Sequence, residues 1–484
     1  MRTGNEYLAS LQDGRAVYVD GERVKDVTSH PAFAPVAQSI AGLYDLAADP
    51  ANGLIYTAPE TGSEANIIFS VPRSREDLTW RREAIVKWAR RNHGWIGRGP
   101  DHFISFIAAF GSHPEAFTRE PRDFGANAVE LYRRMLDQSL YVTNALIPPQ
   151  VSRATTAHGW DGDFIQVGVV AENSEGIVVR GAQMLATGAT VSDEIFVSCI
   201  KPLSPEDRVF ANSFSLPLST EGLKLYCRRP YAPGATSHYD YPLSSRFDET
   251  DALLVFDDVL VPWERVLVDR DVAGLRKQFF ETGGHVLGNW QAQIRFTVKL
   301  QFLVGLARKV TAVNGVDRFP AVQEKLGELA SIASLVESAV LASEYGATPD
   351  ANGMWRPDAR ALYGAMGLQA ELYPRVIAIL RELAGGGVLQ LPAGVADMRN
   401  PESRADFDRY VQSPGVEAEE RVKLFKLVWD VVGSEFGGRH QQYEMFYAGA
   451  PFVAKGYAFR NYGFDRHLAD VEEFLAGYGI DGEA

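Results

Sequence analysis

Cysteine is nearly missing from this chain: Cys199 and Cys227 are the only two among 484 residues. Two thiols are too few for a disulfide framework, a Cys-ligated zinc site or an iron–sulfur cluster, and they fit a reducing cytoplasm. A surplus of basic charge is missing as well. Lys and Arg number 48 against 62 Asp and Glu, for a formal charge of −14 and a pI of about 5.2. That balance speaks against a phosphate-backbone partner held by clustered cations. The N-terminus, Met1-Arg-Thr-Gly-Asn-Glu-Tyr7, lacks the apolar core of a secretory signal. No run approaches the roughly 18 to 20 apolar residues expected of a membrane span. The expectation is a soluble, intracellular protein that acts on small molecules, with neither nucleic acid nor membrane as partner.

The widespread catalytic motifs are absent too. No Gly-x-Gly-x-x-Gly follows a strand and opens a helix, and Gly94-Trp-Ile-Gly97-Arg-Gly99 has the wrong spacing for a dinucleotide fold. Phosphate-binding Gly-x-x-x-x-Gly-Lys-Ser/Thr, zinc-binding His-Glu-x-x-His and nucleophilic Gly-x-Ser-x-Gly are likewise missing. No metal site is expected, and these motifs by themselves assign no reaction.

What the chain does carry is a change of texture along its length. An apolar content of 46% in 484 residues allows a large core split into two or three regions. Residues 1–60 read as an irregular arm with one helix and a hairpin around Val17–Val24. From Glu76 to about Leu146 apolar residues recur at helical spacing, as in Ile85, Trp88 and Ala89 and in Phe103, Phe106, Ile107 and Phe110. After Pro148-Pro149 come short β-rich runs: Phe164–Val170, Gly176–Arg180, Glu194–Ile200, Leu223–Cys227 and Ala252–Phe256, the last ending near Asp257-Asp258 ahead of Pro262. Helical period returns in Phe296–Asn314, Ala321–Tyr345, Ala359–Leu383 and Glu419–Phe436, with Gly385-Gly-Gly387 as a break. The expected division is an N-terminal arm and helical domain (1–147), a β domain (148–270) and a C-terminal helical bundle (271–484).

Five stretches in order carry a family resemblance that spans Gly4 to about Phe464. They are Gly97–Asp101 (GRGPD), Asn144–Arg153 (NALIPPQVSR), Gly176–Thr187 (GIVVRGAQMLAT), His238–Arg265 and Glu420–His440. Together they resemble the large oxygenase component of 4-hydroxyphenylacetate 3-hydroxylase and its relatives. The resemblance implies the acyl-CoA dehydrogenase plan: a helical N-terminal domain, an antiparallel, barrel-like β domain and a C-terminal helix bundle. It implies a two-component monooxygenase that hydroxylates a phenolic or hydroxypyridine-type substrate through a C4a-hydroperoxyflavin. O2 and reduced FAD are the co-substrates, with the flavin delivered by a separate NAD(P)H–flavin reductase, and the oligomer implied is a homotetramer. Whether FADH2 or FMNH2 is preferred stays open.

The resemblance also implies site residues. Arg98 falls in the pocket of substrate and flavin, where a fixed cation favours phenolate over a phenol of reference pKa about 10. Without the resemblance, Arg98 reads as a solvated cation flanking a helix. Asn144, Ala145, Leu146, Gln150, Arg153 and Thr187 match flavin-contacting positions: Gln150 for the ring edge or ribityl chain, Arg153 for pyrophosphate, Thr187 as a donor near N5. Arg439, Tyr447, Ala448 and Gly449 fall in the C-terminal stretch that reaches flavin. Ser198 and Cys199 are candidates for a substrate loop, with Cys199 equally readable as a buried apolar residue. His285 is a secondary substrate candidate against a reading as a helix-flanking cap.

Two departures stand out. His102 follows the Arg-x-Pro-Asp run where relatives have Tyr, and Asn144 stands where they have His. Asn cannot act as a base near neutral pH, so His102 is the candidate to bind or deprotonate a ring hydroxyl, against the reading of a ring that fills a gap. The Pro242–Arg265 stretch reads as scaffold. Rival readings are an acyl-CoA dehydrogenase-like flavoenzyme, a non-catalytic flavin-binding protein and a 4-hydroxybutyryl-CoA dehydratase-like lyase; the lyase is opposed by the shortage of Cys for its iron–sulfur cluster.

Overall fold

In the computed structural model the described residues are 1–119, 122–152, 155–159 and 164–480. After the Ala34–Ala48 helix, Arg75–Arg91 starts where the Ser74 hydroxyl accepts the Asp77 N–H, with Glu76 and Asp77 at its positive end and Arg90 and Arg91 in its last turn. Next, Pro100–Ser112 opens on Gly99 and Pro100, whose missing N–H costs nothing in a first turn. Every residue from Pro100 to Phe110 in that helix is buried, so it runs through the middle of the molecule.

Two sheets lie at the centre, and neither closes. The larger has six strands in the order Glu22–Val24, Ala16–Val19, Leu223–Cys227, Asp251–Pro262, Gly176–Thr187 and Gly168–Glu172. The smaller has four: Val266–Val268, Ser213–Pro217, Glu194–Val197 and Val142–Ala145. The antiparallel, barrel-like expectation is corrected on two counts. Both sheets keep open edges, and each contains one parallel pair, Ala16–Val19 beside Leu223–Cys227 and Val142–Ala145 beside Glu194–Val197. A bridge from Ile147 to Met184 ties the two sheets together next to the residues of interest below.

Some strand limits also move. Ala252–Phe256 proves to be the first half of Asp251–Pro262, which continues through an irregularity between Phe256 and Val259, where Asp258 takes φ 51°. Asp tolerates that left-handed conformation, so the bulge bends the strand without ending it. Glu194–Ile200 stops being regular at Val197.

Among the C-terminal helices, Gly284–Val313 begins well before the expected Phe296. Residues Leu287 to Leu300 are buried without interruption, which erases the amphipathic period that would have revealed the first turns. The expected Glu419–Phe436 helix is two, Ala418–Val432 and Glu435–Met445, divided where the Ser434 hydroxyl accepts the Gly437 N–H. Pro320–Tyr345 is long and apolar enough to cross a membrane by length and composition, with a mean hydropathy of 1.4 over its best window, although polar residues such as Glu328, Ser331 and Glu337 interrupt it. It packs against Gly284–Val313 and Ala359–Ala384, and only 33% of that window is buried.

Candidate active site

The Gly97-Arg98-Gly99 turn enters the Pro100–Ser112 helix, and its backbone is held from three sides. The Glu249 carboxylate accepts the N–H of Gly97 and of Arg98, each at 2.7 Å. From beside the Val142–Ala145 strand, the Tyr141 hydroxyl donates to the Arg98 carbonyl at 2.6 Å. The Tyr447 hydroxyl donates to the Gly97 carbonyl at 3.3 Å. Gly97 is required for this closeness, since a Cβ there would sit 2.2 Å from the Tyr443 hydroxyl.

The Arg98 guanidinium is fixed in turn. Its Nη2 donates to the Tyr447 carbonyl at 2.9 Å, its Nη1 lies 2.5 Å from His102 Nε2, and its carbon rests 4.2 Å from the centre of the Tyr447 ring. His102 is 2% exposed. Burial, then the neighbouring Arg98 and Arg295, push its imidazole well below its ordinary range, so the ring is neutral. Around it pack Phe106, Phe103 and Tyr447, and beyond them Phe196 and Phe279 complete an aromatic wall. Phe106 reaches its place because Gly288 has no side chain: a Cβ there would meet its ring at 2.0 Å.

A chain of polar contacts runs from this turn to the smaller sheet's edge. Thr143 donates to the Thr187 carbonyl at 2.7 Å, Thr187 donates through Oγ1 to Asp251 at 2.6 Å, and Arg439 grips Asp251 with Nε at 3.0 Å and Nη2 at 2.7 Å. Burial opposes the Asp251 charge, but Arg439 and Arg228 hold the carboxyl well below the usual range. For Glu249 the balance is reversed. Burial raises its carboxyl, offset by Arg439 and by the two backbone N–H groups. The expectation that Thr187 offers a donor is therefore corrected, because its proton is committed to Asp251.

The sequence candidates fall into three groups. Arg98, His102, Tyr447, Arg439 and Thr187 are joined by the contacts just described. Asn144 lies opposite Phe196 in the Val142–Ala145 strand, and its Oδ1 has no partner among the described residues. The carbonyls of Ala145 and Leu146 accept the N–H of Ser198 and Ile200 at 3.2 and 3.1 Å. Ala448 and Gly449 form the tight turn after Tyr447, with Gly449 at φ 92°.

Other candidates stand apart. Gln150 is exposed in the run after the strand, and Arg153 lies outside the described residues. His285 hydrogen-bonds the Tyr363 hydroxyl at 2.7 Å within a cluster of Phe280, Tyr363 and Tyr457, and burial lowers it to about 4. Ser198 accepts from Gln278 at 3.0 Å, and its carbonyl accepts from Gln183 at 2.7 Å. Burial pushes the Cys199 thiol up to about 11, the behaviour of an inert interior group.

Sequence reasoning missed Glu249, Tyr141 and a buried ion cluster behind Tyr447. There Glu444 receives both ends of Arg295, the Lys299 ammonium at 2.9 Å and the Gln369 amide at 2.8 Å. Glu444 shifts as in a simple ion pair, and Lys299 does not. Burial works against the Glu444 charge, yet Arg295 and Lys299 together bring the carboxyl to about 2. Lys299 falls to about 8, because burial and adjacent Arg295 outweigh its single anion. We take Glu444 as ionised, since two cations contact it. Glu249 had a signal in the quoted His238–Arg265 stretch, whereas an isolated Glu444 or Tyr141 had none.

Comparison with known proteins adds a family assignment. Residues 3–268 match the family model described as 4-hydroxyphenylacetate 3-hydroxylase N terminal, and 275–476 match its C-terminal counterpart. A Streptomyces globisporus protein named (3S)-3-amino-3-(3-chloro-4-hydroxyphenyl)propanoyl-[peptidyl-carrier protein SgcC2] monooxygenase is 39% identical over 92% of this chain and 85% of its own length. The oxygenase component of 4-hydroxyphenylacetate 3-monooxygenase, solved with FAD and 4-hydroxyphenylacetate, superposes with a TM-score of 0.93 at 35% identity over 98% of both chains. An archaeal 4-hydroxybutyryl-CoA dehydratase from N. maritimus shares the fold alone, with a TM-score of 0.88 at 21% identity over 100% of this chain and 96% of the other.

Proposed function

The chain belongs to the 4-hydroxyphenylacetate 3-hydroxylase family, and from that premise we propose its function. It is the oxygenase component of a two-component, FAD-dependent monooxygenase that hydroxylates a small phenolic or hydroxypyridine-type ring with O2. Reduced FAD reaches it from a separate NAD(P)H–flavin reductase. The observation that carries this reading is the half-buried Arg98 guanidinium, held against buried, neutral His102 on a turn whose amides are fixed by Glu249.

When bound, reduced FAD supplies the electrons that activate O2 for transfer to the ring. A buried polar atom with no hydrogen-bond partner among the described residues, Asn144 Oδ1, supports a cofactor at this edge of the smaller sheet. Asn144, Ala145, Leu146, Gln150, Thr187, Arg439, Tyr447, Ala448 and Gly449 are the residues proposed to hold it, with Arg153 on the pyrophosphate. Since Thr187 donates to Asp251, its oxygen is left to accept, which suits the extra N–H of a reduced flavin ring. Arg98 favours the ionised ring hydroxyl, and each tenfold preference for the anion corresponds to about 1.4 kcal/mol. Phe103, Phe106, Phe196 and Phe279 keep water from the reacting ring.

The test supplies full-length protein with FAD, NADH, a generic flavin reductase and 18O2 across a panel of phenols and hydroxypyridines. The expected result is a ring-hydroxylated product carrying one labelled oxygen. Hydrogen peroxide as the sole oxygen product across the panel would overturn the reading.

The tetramer belongs to the same proposal. Phe319, Leu335, Leu341 and Tyr345 on or beside Pro320–Tyr345 are exposed, as are Phe452, Phe459, Phe464 and Phe474 near the C-terminus. So much open apolar surface supports burial between copies of the chain. A reducing cytoplasm is the compartment proposed, in keeping with two free thiols.

A further inference from the structure

Guanidinium groups only donate hydrogen bonds, so the 2.5 Å contact between Arg98 Nη1 and His102 Nε2 requires a lone pair on that nitrogen. The single proton of the neutral ring is then on Nδ1. Nδ1 is buried and has no hydrogen-bond partner among the described residues. A buried donor left unpaired is costly, so such atoms in native folds call for a partner, either ordered water or a ligand. His102 is also the third residue of the Pro100–Ser112 helix, where the positive end of the dipole disfavours an imidazolium.

We propose that Arg98 locks His102 as the Nδ1–H tautomer, and that this N–H is a donor to the aryloxide oxygen of the substrate, not a base that removes its proton. Both ring nitrogens are engaged before the substrate arrives: Nε2 by Arg98, Nδ1 by its own proton. The ring hydroxyl therefore loses its proton to solvent, and the ligand class is a hydroxyarene acidic enough to be bound as its anion. This rests on the aromatic-hydroxylase reading for the identity of the ligand.

The charged and titratable groups around the imidazole agree. Arg98 precedes it, Arg295 faces it from the Gly284–Val313 helix, and both favour its neutral state. Tyr447 meets it edge-on at 6.1 Å, with burial raising the phenol. Tyr443, beyond Tyr447, is raised in the same way. Neighbouring Asp101 accepts from Gln291 at 2.5 Å on the opposite helix, and Glu249 is occupied by the Gly97 and Arg98 amides. None of these is a free base at Nδ1.

Two measurements on the full-length chain test the proposal. In protein with 15N-labelled imidazoles, the signal lost in His102→Phe should show a protonated Nδ1 and an unprotonated Nε2 without ligand. A proton on Nε2 would overturn the proposal, whatever binds. The second measurement titrates 4-nitrophenol, whose anion is coloured, with wild type, His102→Asn and His102→Phe. An asparagine amide places an N–H near Nδ1 but cannot accept a proton. Wild type should favour the bound anion at least about tenfold, a shift of one pKa unit. His102→Asn should keep most of that preference, and His102→Phe should lose about tenfold. Equal losses in both variants would overturn the donor role. An Nδ1–H ring in a protein that binds no phenol would instead overturn the hydroxylase reading, and the aryloxide with it.

Discussion

Glu249 accepts the backbone N–H of Arg98 at 2.7 Å while its other oxygen accepts that of Gly97, so one buried carboxylate fixes the backbone from which the guanidinium projects. Gln at position 249 would keep the shape but present an amide N–H to one of those donors. Glu249→Gln should leave one buried N–H unpaired and cost about 1–3 kcal/mol of stability, read by urea unfolding. It should also weaken phenol binding by misdirecting Arg98. Unchanged stability together with unchanged phenol affinity would remove Glu249 from the positioning role.

Gly97 lets the Tyr443 hydroxyl approach to where its own Cβ would be, 2.2 Å away. Gly97→Ala forces either the turn or the tyrosine to move, and overpacking of this kind costs about 1–3 kcal/mol. Hydroxylation should fall by at least about tenfold, as expected when a positioned cation is displaced. Adding Tyr443→Phe should recover only part of the loss, because ring carbons also lie 2.7 Å from the added methyl. Full activity in Gly97→Ala alone would show that the turn tolerates displacement.

The Glu444 cluster gives a pH dependence with a definite sign. Its carboxyl is lowered to about 2 in the folded chain from an ordinary 4.5, so the folded state binds that proton less readily. Its contribution is complete above pH 4.5 and is lost as the pH falls towards 2, an effect of about 3 kcal/mol. Lys299, lowered to about 8, acts in another window: stability rises from pH 8 towards 10.5 as the unfolded ammonium titrates. Urea unfolding of Glu444→Gln should show lower stability at pH 7 and a flatter acid limb than wild type. Parallel acid limbs would rule out Glu444 as the group concerned.

How much of this was legible follows from the patterns themselves. Pro320–Tyr345 and Ala359–Ala384 have one face exposed, so their period survives in the sequence. The start of Gly284–Val313 and the strands Val142–Ala145, Ser213–Pro217 and Val266–Val268 are buried on nearly every side, and burial removes the alternation that identifies an element. At the site, Arg98 and His102 could be singled out only through the family resemblance, which places one in the substrate pocket and marks the other as a departure from Tyr; their spacing alone assigns neither a role. Their tautomeric relation could not be singled out, because it depends on a rotamer set by Tyr447, 349 positions from Arg98. The Thr187–Asp251–Arg439 chain is similar, since three separate segments supply one polar path.

The C-terminal helix Phe464–Ala476 buries none of its residues within one chain. Phe464, Leu468, Val471 and Leu475 are spaced by four, three and four, which puts them on one stripe, and all are about half exposed or more. Covering one such side chain is worth roughly 1.5–3 kcal/mol, so the stripe can contribute substantially to assembly when a second copy lies over it. Leu468→Asp combined with Val471→Asp should lower the particle mass below four times the 53.3 kDa chain in light scattering, with helicity nearly unchanged by circular dichroism. A double variant that still runs as a tetramer would assign the interface to Pro320–Tyr345 instead. A wild type that runs as a single chain at micromolar concentration would leave both stripes without an occupant and overturn the tetramer itself.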